Sequence, residues 1–192
     1  ANVKGGSGKS TLCINMAAIL IRAGNSVAII DADQQKCSQD WITGTKDKLL
    51  SRVEIIEPVE LKVAEDVEVD FLLIDTQGSL TKEMAQFLFQ SSLIITPCRA
   101  SRDDIVGQGW IEVFLKQSNQ NIKKAPILTV LNGVNKRSSI LSHVIEQLKE
   151  DGVQVAETCI SQRVCFAETN VNKISVIGYN KHATKEIVDL TN

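Results

Sequence analysis

The chain of 192 residues is expected to form a doubly wound α/β fold, a mainly parallel sheet with helices on both faces. Three observations predict it. Apolar runs of strand length recur and are continuous rather than alternating, the pattern of strands covered on both faces. Segments of helical period separate these runs throughout, the strand–helix rhythm of a parallel sheet. A glycine- and lysine-rich loop, Lys4-Gly5-Gly6-Ser7-Gly8-Lys9-Ser10-Thr11, opens the first helix.

Taken in order, the first helix is expected over Lys9 to Ala23, with Gly24 placed to end it. Ser26 to Ile30 reads as a buried strand, and Gln34 to Leu50 as the second helix. Strands follow at Val53 to Ile56 and Phe71 to Ile74, then a helix over Thr81 to Gln90 and a strand at Leu93 to Thr96. Asp103 to Gln117 reads as a helix whose opening aspartates, Asp103 and Asp104, suit the helix dipole, although Gly107 and Gly109 weaken its first turns. Ile127 to Leu131 is the next strand. Ser138 to Lys149 carries the helical stripe Ile140, Leu141, Val144, Ile145 and Leu148 and stops near Gly152. Val153 to Ile160 is a weaker sixth strand, and Lys181 to Leu190 a last helix. No repeat, low-complexity run or linker divides the chain, so residues 1–192 are read as a single domain. A loop of this kind launches from a buried strand, and only Ala1 to Val3 precede it, so the first strand is expected to be truncated.

Composition narrows the function classes. An apolar content of 43% supplies a substantial core. The formal net charge of −2 argues against a surface coated in basic residues for nucleic acid, while leaving room for a local patch. The five cysteines include no C-x-x-C pair, and the nearest two, Cys159 and Cys165, have five residues between them. That spacing is unsuited to zinc or an iron–sulfur cluster and reads as single thiols in a reducing compartment. There is no signal peptide and no apolar run of about 18 residues, so a cytoplasmic location is expected.

The loop carries the strongest chemical signal. Its glycines let backbone N–H groups converge on phosphate oxygens without Cβ clashes, and the helix N-terminus adds partial positive charge. Lys9 would reach the β- and γ-phosphates, Ser10 would place its hydroxyl on Mg²⁺, and Thr11 would touch the α-phosphate. The standard pattern needs a further glycine where Val3 stands, so the strict motif fails. The sequence instead fits K-G-G-x-G-K-[ST], and so resembles the deviant Walker A loop of the ParA/MinD superfamily of P-loop NTPases. The resemblance implies ATP and Mg²⁺ as cofactors and Lys4, Gly5, Gly6, Ser7, Gly8, Lys9, Ser10 and Thr11 as the nucleotide-binding loop. It also implies that Lys4 reaches across a dimer to the partner's nucleotide. Two lysines in one loop repel unless a polyphosphate lies between them.

Further segments extend the likeness. In this superfamily a D-x-D after the second strand forms the first switch; here that is Asp31-Ala32-Asp33. The resemblance places Asp31 near the magnesium shell and makes Asp33 the residue that orients the attacking water. Gln34 stands where the family usually has proline, and both carboxylates would also suit a helix cap. Phe71-Leu72-Leu73-Ile74-Asp75 has the Walker B form, with Asp75 on Mg²⁺ through a water. Thr76-Gln77-Gly78 resembles the second switch, again without its proline. Thr96 to Asp103 resembles a segment at the dimer face of partition ATPases; Arg99 and Arg102 there serve either the interface, the nucleotide or solvent. Asn132, at a strand end, matches the asparagine that recognises adenine, whose edge an amide can pair with through one donor and one acceptor.

The implied function is an ATP-dependent dimerising ATPase switch for plasmid or chromosome partition. In such a cycle the homodimer with ATP binds non-specific DNA and is nucleoid-associated, and a centromere-binding adaptor protein stimulates hydrolysis and release. The DNA-binding candidates are Arg137, Arg163 and Lys173. The alternative is a MinD-like membrane-cycling or protein-positioning ATPase. No membrane contact is expected, because the last helix is short, mixed in charge and without Trp or Phe. A cluster-bearing ATPase would need interfacial cysteines that this spacing does not offer.

Overall fold

The computed structural model describes residues 6–57, 67–79, 81–101, 104–107, 111, 113–114 and 125–192. Its described elements run α1 (Lys9–Arg22), β1 (Val27–Ala32), α2 (Cys37–Thr43), β2 (Glu54–Ile56), β3 (Phe71–Thr76), α3 (Lys82–Gln90), β4 (Ile94–Cys98), β5 (Ile127–Val134), α4 (Ser139–Glu150), β6 (Ile160–Ser161), α5 (Val164–Val171) and α6 (Lys181–Thr191). Strand and helix alternate as the sequence predicts, and every described strand pairing is parallel. The chain divides into two compact units, one built from Ser10–Thr76 with Arg163–Asn192, the other from Gln77–Gln162 with the residues up to Lys9.

In the first unit α1 buries Ile14, Ala17, Ala18 and Ile21 against the sheet. It ends where expected: Gly24, at φ +98, lets its own N–H reach the Ile21 carbonyl while Asn25 N–H reaches Leu20. The sheet order is β2-β1-β3. The start of β3 is tied to the start of β1 by a reciprocal knot. Ser26 N–H and Oγ each donate to Asp70 Oδ2 at 2.7 Å, and Asp70 N–H donates back to Ser26 Oγ at 2.9 Å. The knot fixes the register in which Asp31 of β1 lies opposite Asp75 of β3.

The helix expected over Gln34 to Leu50 is a correction: only Cys37–Thr43 is α-helical, and Leu50–Arg52 forms a separate 3-10 turn. The reason is tertiary. Lys36 adopts a left-handed conformation (φ 50) that delays the helix start. After Gly44, Thr45 Oγ1 donates to the Lys173 carbonyl at 2.6 Å, and Asp47 Oδ2 accepts from Ser175 N–H and Oγ at 2.8 and 2.6 Å. Such bonds, 128 positions apart, draw the chain out of the helix that local pattern favours. Asn15 on α1 adds to the same brace, with Oδ1 accepting the Val176 N–H at 2.8 Å and Nδ2 donating to the Thr11 carbonyl. α5 has no counterpart among the expected elements. α6 starts where predicted, capped by Asn180, whose Oδ1 accepts from His182 and Ala183 N–H, and it fully buries Ala183 and Ile187.

Asp47 makes a pH prediction. Burial raises its pKa, but hydrogen bonds from the Ser175 hydroxyl and N–H and from the Leu49 and Leu50 N–H groups outweigh it, so the carboxyl titrates below its ordinary value. Its stabilisation is therefore complete above the unfolded pKa of about 3.9 and is lost as pH falls through the lower folded value. Asp47→Asn is expected to lower stability at pH 7 by about 1 kcal/mol, a figure kept small because the group is partly exposed. The gap to the parent protein should shrink in urea titrations below about pH 4.

In the second unit the sheet order is β4-β5-β6. Thr81 caps α3 by accepting the Met84 N–H. Met84, Leu88, Ile94 and Ile111 form one cluster, and Cys98, Leu131, Val134, Leu141, Val144 and Leu148 another. The stripe expected on α4 is thus narrower than the sequence suggests, because Ile140 is 61% exposed. The weak sixth strand reduces to a bridge between Thr129 and Val155 and the two residues of β6. Residues 104–107, 111, 113 and 114 are helical, within the helix expected over Asp103 to Gln117; Asp103 itself lies outside the described residues.

Candidate nucleotide-binding site

Lys4 and Gly5 lie outside the described residues. From Gly6 the loop is a tight turn leading into α1 at Lys9. Gly6 and Gly8 have φ of +73 and +94, a region that costs residues with a Cβ roughly 1–2 kcal/mol. Two side chains from the second unit's strand ends brace the turn. Asn132 Nδ2 donates to the Ser7 carbonyl at 2.7 Å, and Arg99 Nη2 donates to the Gly6 carbonyl. Asn132, read from the sequence as a base contact, is placed with its donor on the phosphate loop. Arg99, itself exposed, reaches the same turn; Arg102 lies outside the described residues. A turn whose carbonyls are held by protein donors keeps its N–H groups for an anion. Ser7 is buried, and its Oγ finds no hydrogen-bond partner among the described residues, which suits a site completed by phosphate oxygens.

Gly8 tests this packing directly. A Cβ there would lie 2.2 Å from Asn132 Nδ2, on top of the backbone cost. Gly8→Ala is expected to weaken nucleotide binding about tenfold or more, measured by titrating a fluorescent ATP analogue; parent affinity would contradict the geometry.

The carboxylates lie in the first unit. Asp31 and Asp75 stand opposite each other at the carboxyl ends of β1 and β3, both almost fully buried. Adjacent strands run about 4.8 Å apart, so two like charges meet here and a cation would relieve their repulsion. Asp31 Oδ1 accepts the Asp33 N–H at 3.0 Å and Oδ2 accepts the Gln39 N–H at 2.9 Å, so it also caps α2. Asp75 Oδ2 accepts from Ser38 Oγ at 2.6 Å. Asp33 is half-buried, its Oδ1 accepting the Gln35 N–H at 2.9 Å. Lys36 Nζ donates to the Asp31 carbonyl at 2.7 Å, tying down the loop between β1 and α2. Ser10 and Thr11 lie on the first turn of α1, and Cys13 follows on the same helix. Burial, then the charges of Asp75 and Asp31, push the Cys13 thiol well above its ordinary pKa. The thiol is therefore protonated at neutral pH.

These donors suit Mg²⁺. They are hard carboxylate oxygens, and Mg²⁺ is typically held by one or two carboxylates together with substrate phosphates. Among the described residues no group of three or more His, Cys, Asp or Glu gathers into a closed cage. Thr76 Oγ1, next to Asp75, is buried without a hydrogen-bond partner among the described residues. Lys36 and Ser38 were not singled out by sequence. Only the pairing of β1 with β3 brings Ser38 to Asp75, and no local pattern signals it.

The basic candidates differ among themselves. Arg163 Nη2 donates to Glu186 at 3.1 Å, and Glu186 is buried. Lys173 Nζ donates to Asp40 Oδ1 at 2.8 Å and to the Asp40 carbonyl at 3.1 Å. Both cations thus have carboxylate partners, whereas Arg137 is exposed.

A glycine loop opening a helix, with aspartates at the ends of parallel strands, defines a nucleotide-binding domain of the P-loop class. The chain belongs to the CobQ/CobB/MinD/ParA nucleotide binding domain family (CbiA), matched over residues 1–176. It is similar to the Maintenance of carboxysome distribution protein A of Halothiobacillus neapolitanus, 26% identical over 183 residues that cover 92% of this chain and 84% of that protein. Protein ParA of Rhizobium radiobacter is 21% identical over 193 residues, 96% of this chain and 84% of its own. A Borrelia burgdorferi protein described as a plasmid partition protein, solved with AMPPNP bound, shares the fold with a TM-score of 0.79 at 21% identity, over 99% of this chain and 94% of that one.

Proposed function

We propose that the chain is a single switch domain that binds and hydrolyses ATP with Mg²⁺, dimerises in the ATP state, and acts in partition of plasmid or chromosomal DNA. The observation that carries this reading is the in-register pair Asp31 and Asp75, bound to the first turn of α2, in a chain whose glycine loop opens α1. Lys9 neutralises the β- and γ-phosphates. Ser10 holds Mg²⁺ with Asp31 and Asp75 behind it, and the ion offsets charge on the phosphates. Asp33 orients the attacking water, and Lys4 reaches the nucleotide of a second copy. Loss of the γ-phosphate contacts would release the switch loop and the dimer. Non-specific DNA is the proposed partner of the ATP dimer, with a centromere-binding adaptor stimulating hydrolysis. The similarity to Protein ParA and to the plasmid partition protein supports this cargo.

A second reading, positioning of a protein assembly, is favoured by the higher identity to the carboxysome distribution protein and by the engagement of Arg163 and Lys173 with carboxylates. A membrane cycle is less supported. α6 has its apolar residues Ala183 and Ile187 packed inside its unit, and among the described residues no helix is long and apolar enough to cross a membrane.

The test is binding to a random-sequence duplex in ADP, in ATP and without nucleotide, at two salt concentrations. Salt-sensitive binding in ATP alone is expected. No binding in any state, with ATP binding intact, would move the cargo to a protein assembly.

A further inference from the structure

We infer that Ser38 is a positioning residue for Asp75, and that through it the first turn of α2 registers whether the metal site is filled. The inference rests on the proposed magnesium-site role of Asp75. Ser38 is 0% exposed and Asp75 2%, and the bond between them is short. A hydroxyl donating to a buried carboxylate is charge-assisted, roughly twice as strong as a neutral bond. The terminal torsion of an aspartate is broad and nearly two-fold, so little in the side chain itself sets the carboxylate plane. The short bond from Ser38 to Oδ2 orients it, and with it the direction in which the other oxygen points.

The neighbouring residue completes the device. Gln39 N–H holds Asp31, so two consecutive residues of α2 grip two carboxylates that lie in register on adjacent strands. A cation drawn between those carboxylates would change the charge that Ser38 and Gln39 see, and the response passes to α2 as a rigid turn. Trp41, one turn further along and 1% exposed, lies in the core cluster that α2 packs into. It is a built-in reporter of that movement.

A merely structural Ser38 would affect stability and leave the magnesium requirement alone, so the requirement is the readout. Mg²⁺ is titrated into the full chain with AMPPNP, following nucleotide binding by calorimetry and Trp41 emission by fluorescence. Trp41→Phe identifies the share of the other tryptophan, Trp110. Ser38→Ala, close to the parent in shape, is expected to need about five- to tenfold more Mg²⁺ for half-saturation, as one lost charge-assisted bond implies. Its AMPPNP affinity in EDTA should equal the parent's, and its Mg²⁺-induced emission change should shrink. Ser38→Cys, a weaker donor, is expected to fall between. Half-saturation within twofold of the parent in both variants would overturn the role of Ser38. Asp75→Ala separates this from the underlying reading. If it loses the Mg²⁺ dependence while Ser38→Ala keeps it, only the Ser38 inference fails. If Asp75→Ala itself keeps the dependence, the magnesium-site reading and the inference that rests on it both fail.

Discussion

Lys9→Ala is expected to cost the chain its nucleotide while leaving its fold intact. Lys9 is the first residue of α1, and the first turn of that helix contains no acidic residue. A helix N-terminus favours anions, so a phosphate held there meets both the helix and the Lys9 ammonium. Lys9 is outside the buried apolar core, so its removal should shift the thermal midpoint only slightly. Against ATP the loss is large. Loss of one partner from a desolvated charge pair costs about 2–5 kcal/mol, or roughly 30-fold and upward in affinity. Calorimetric titration with ATP and Mg²⁺ reads the affinity; an unchanged value would remove Lys9 from the phosphate site.

Asp33→Ala is expected to separate binding from hydrolysis. The Asp33 carboxylate has a local partner, the Gln35 N–H, while the brace from Asp31 to Gln39 does not depend on it. ATP affinity should therefore stay within about threefold, whereas a residue that positions or deprotonates the attacking water contributes about 10²–10⁴ in rate. Single-turnover hydrolysis should fall by that factor, and the ATP-state dimer should persist in gel filtration. A normal rate would show that the first switch has been misassigned.

What sequence made legible follows from where the determining interactions lie. The loop at Gly6 to Thr11, the strand ending in Asp75 and the termination of α1 at Gly24 are local matters of spacing and backbone freedom, and the structure has them where expected. The missed features are those set from a distance. The second helix is cut short by Lys173 and Ser175 bonding to Thr45 and Asp47. The outward face of Ile140 depends on which side of α4 meets the sheet, and α5 lacks a strong apolar period of its own. Within the site, the aspartates were visible because their residue types announce charge. Ser38 and Lys36 were not, since a serine and a lysine are ordinary at a helix start and acquire meaning only from the strand register.

The bond from Val176 N–H to Asn15 has a consequence for synthesis. Asn15 follows Lys9 by six positions on the same helix, is 0% exposed, and completes its amide pairing only with a residue 161 positions later. A nascent chain that has emerged only as far as α4 holds that amide without the backbone N–H that pairs with it. The helix that carries Lys9, Ser10 and Thr11 is therefore expected to gain this part of its alignment only after Val176 has left the ribosome. ATP capture is correspondingly a property of the finished unit, and a ribosome-stalled chain ending before Val176 should bind no ATP analogue.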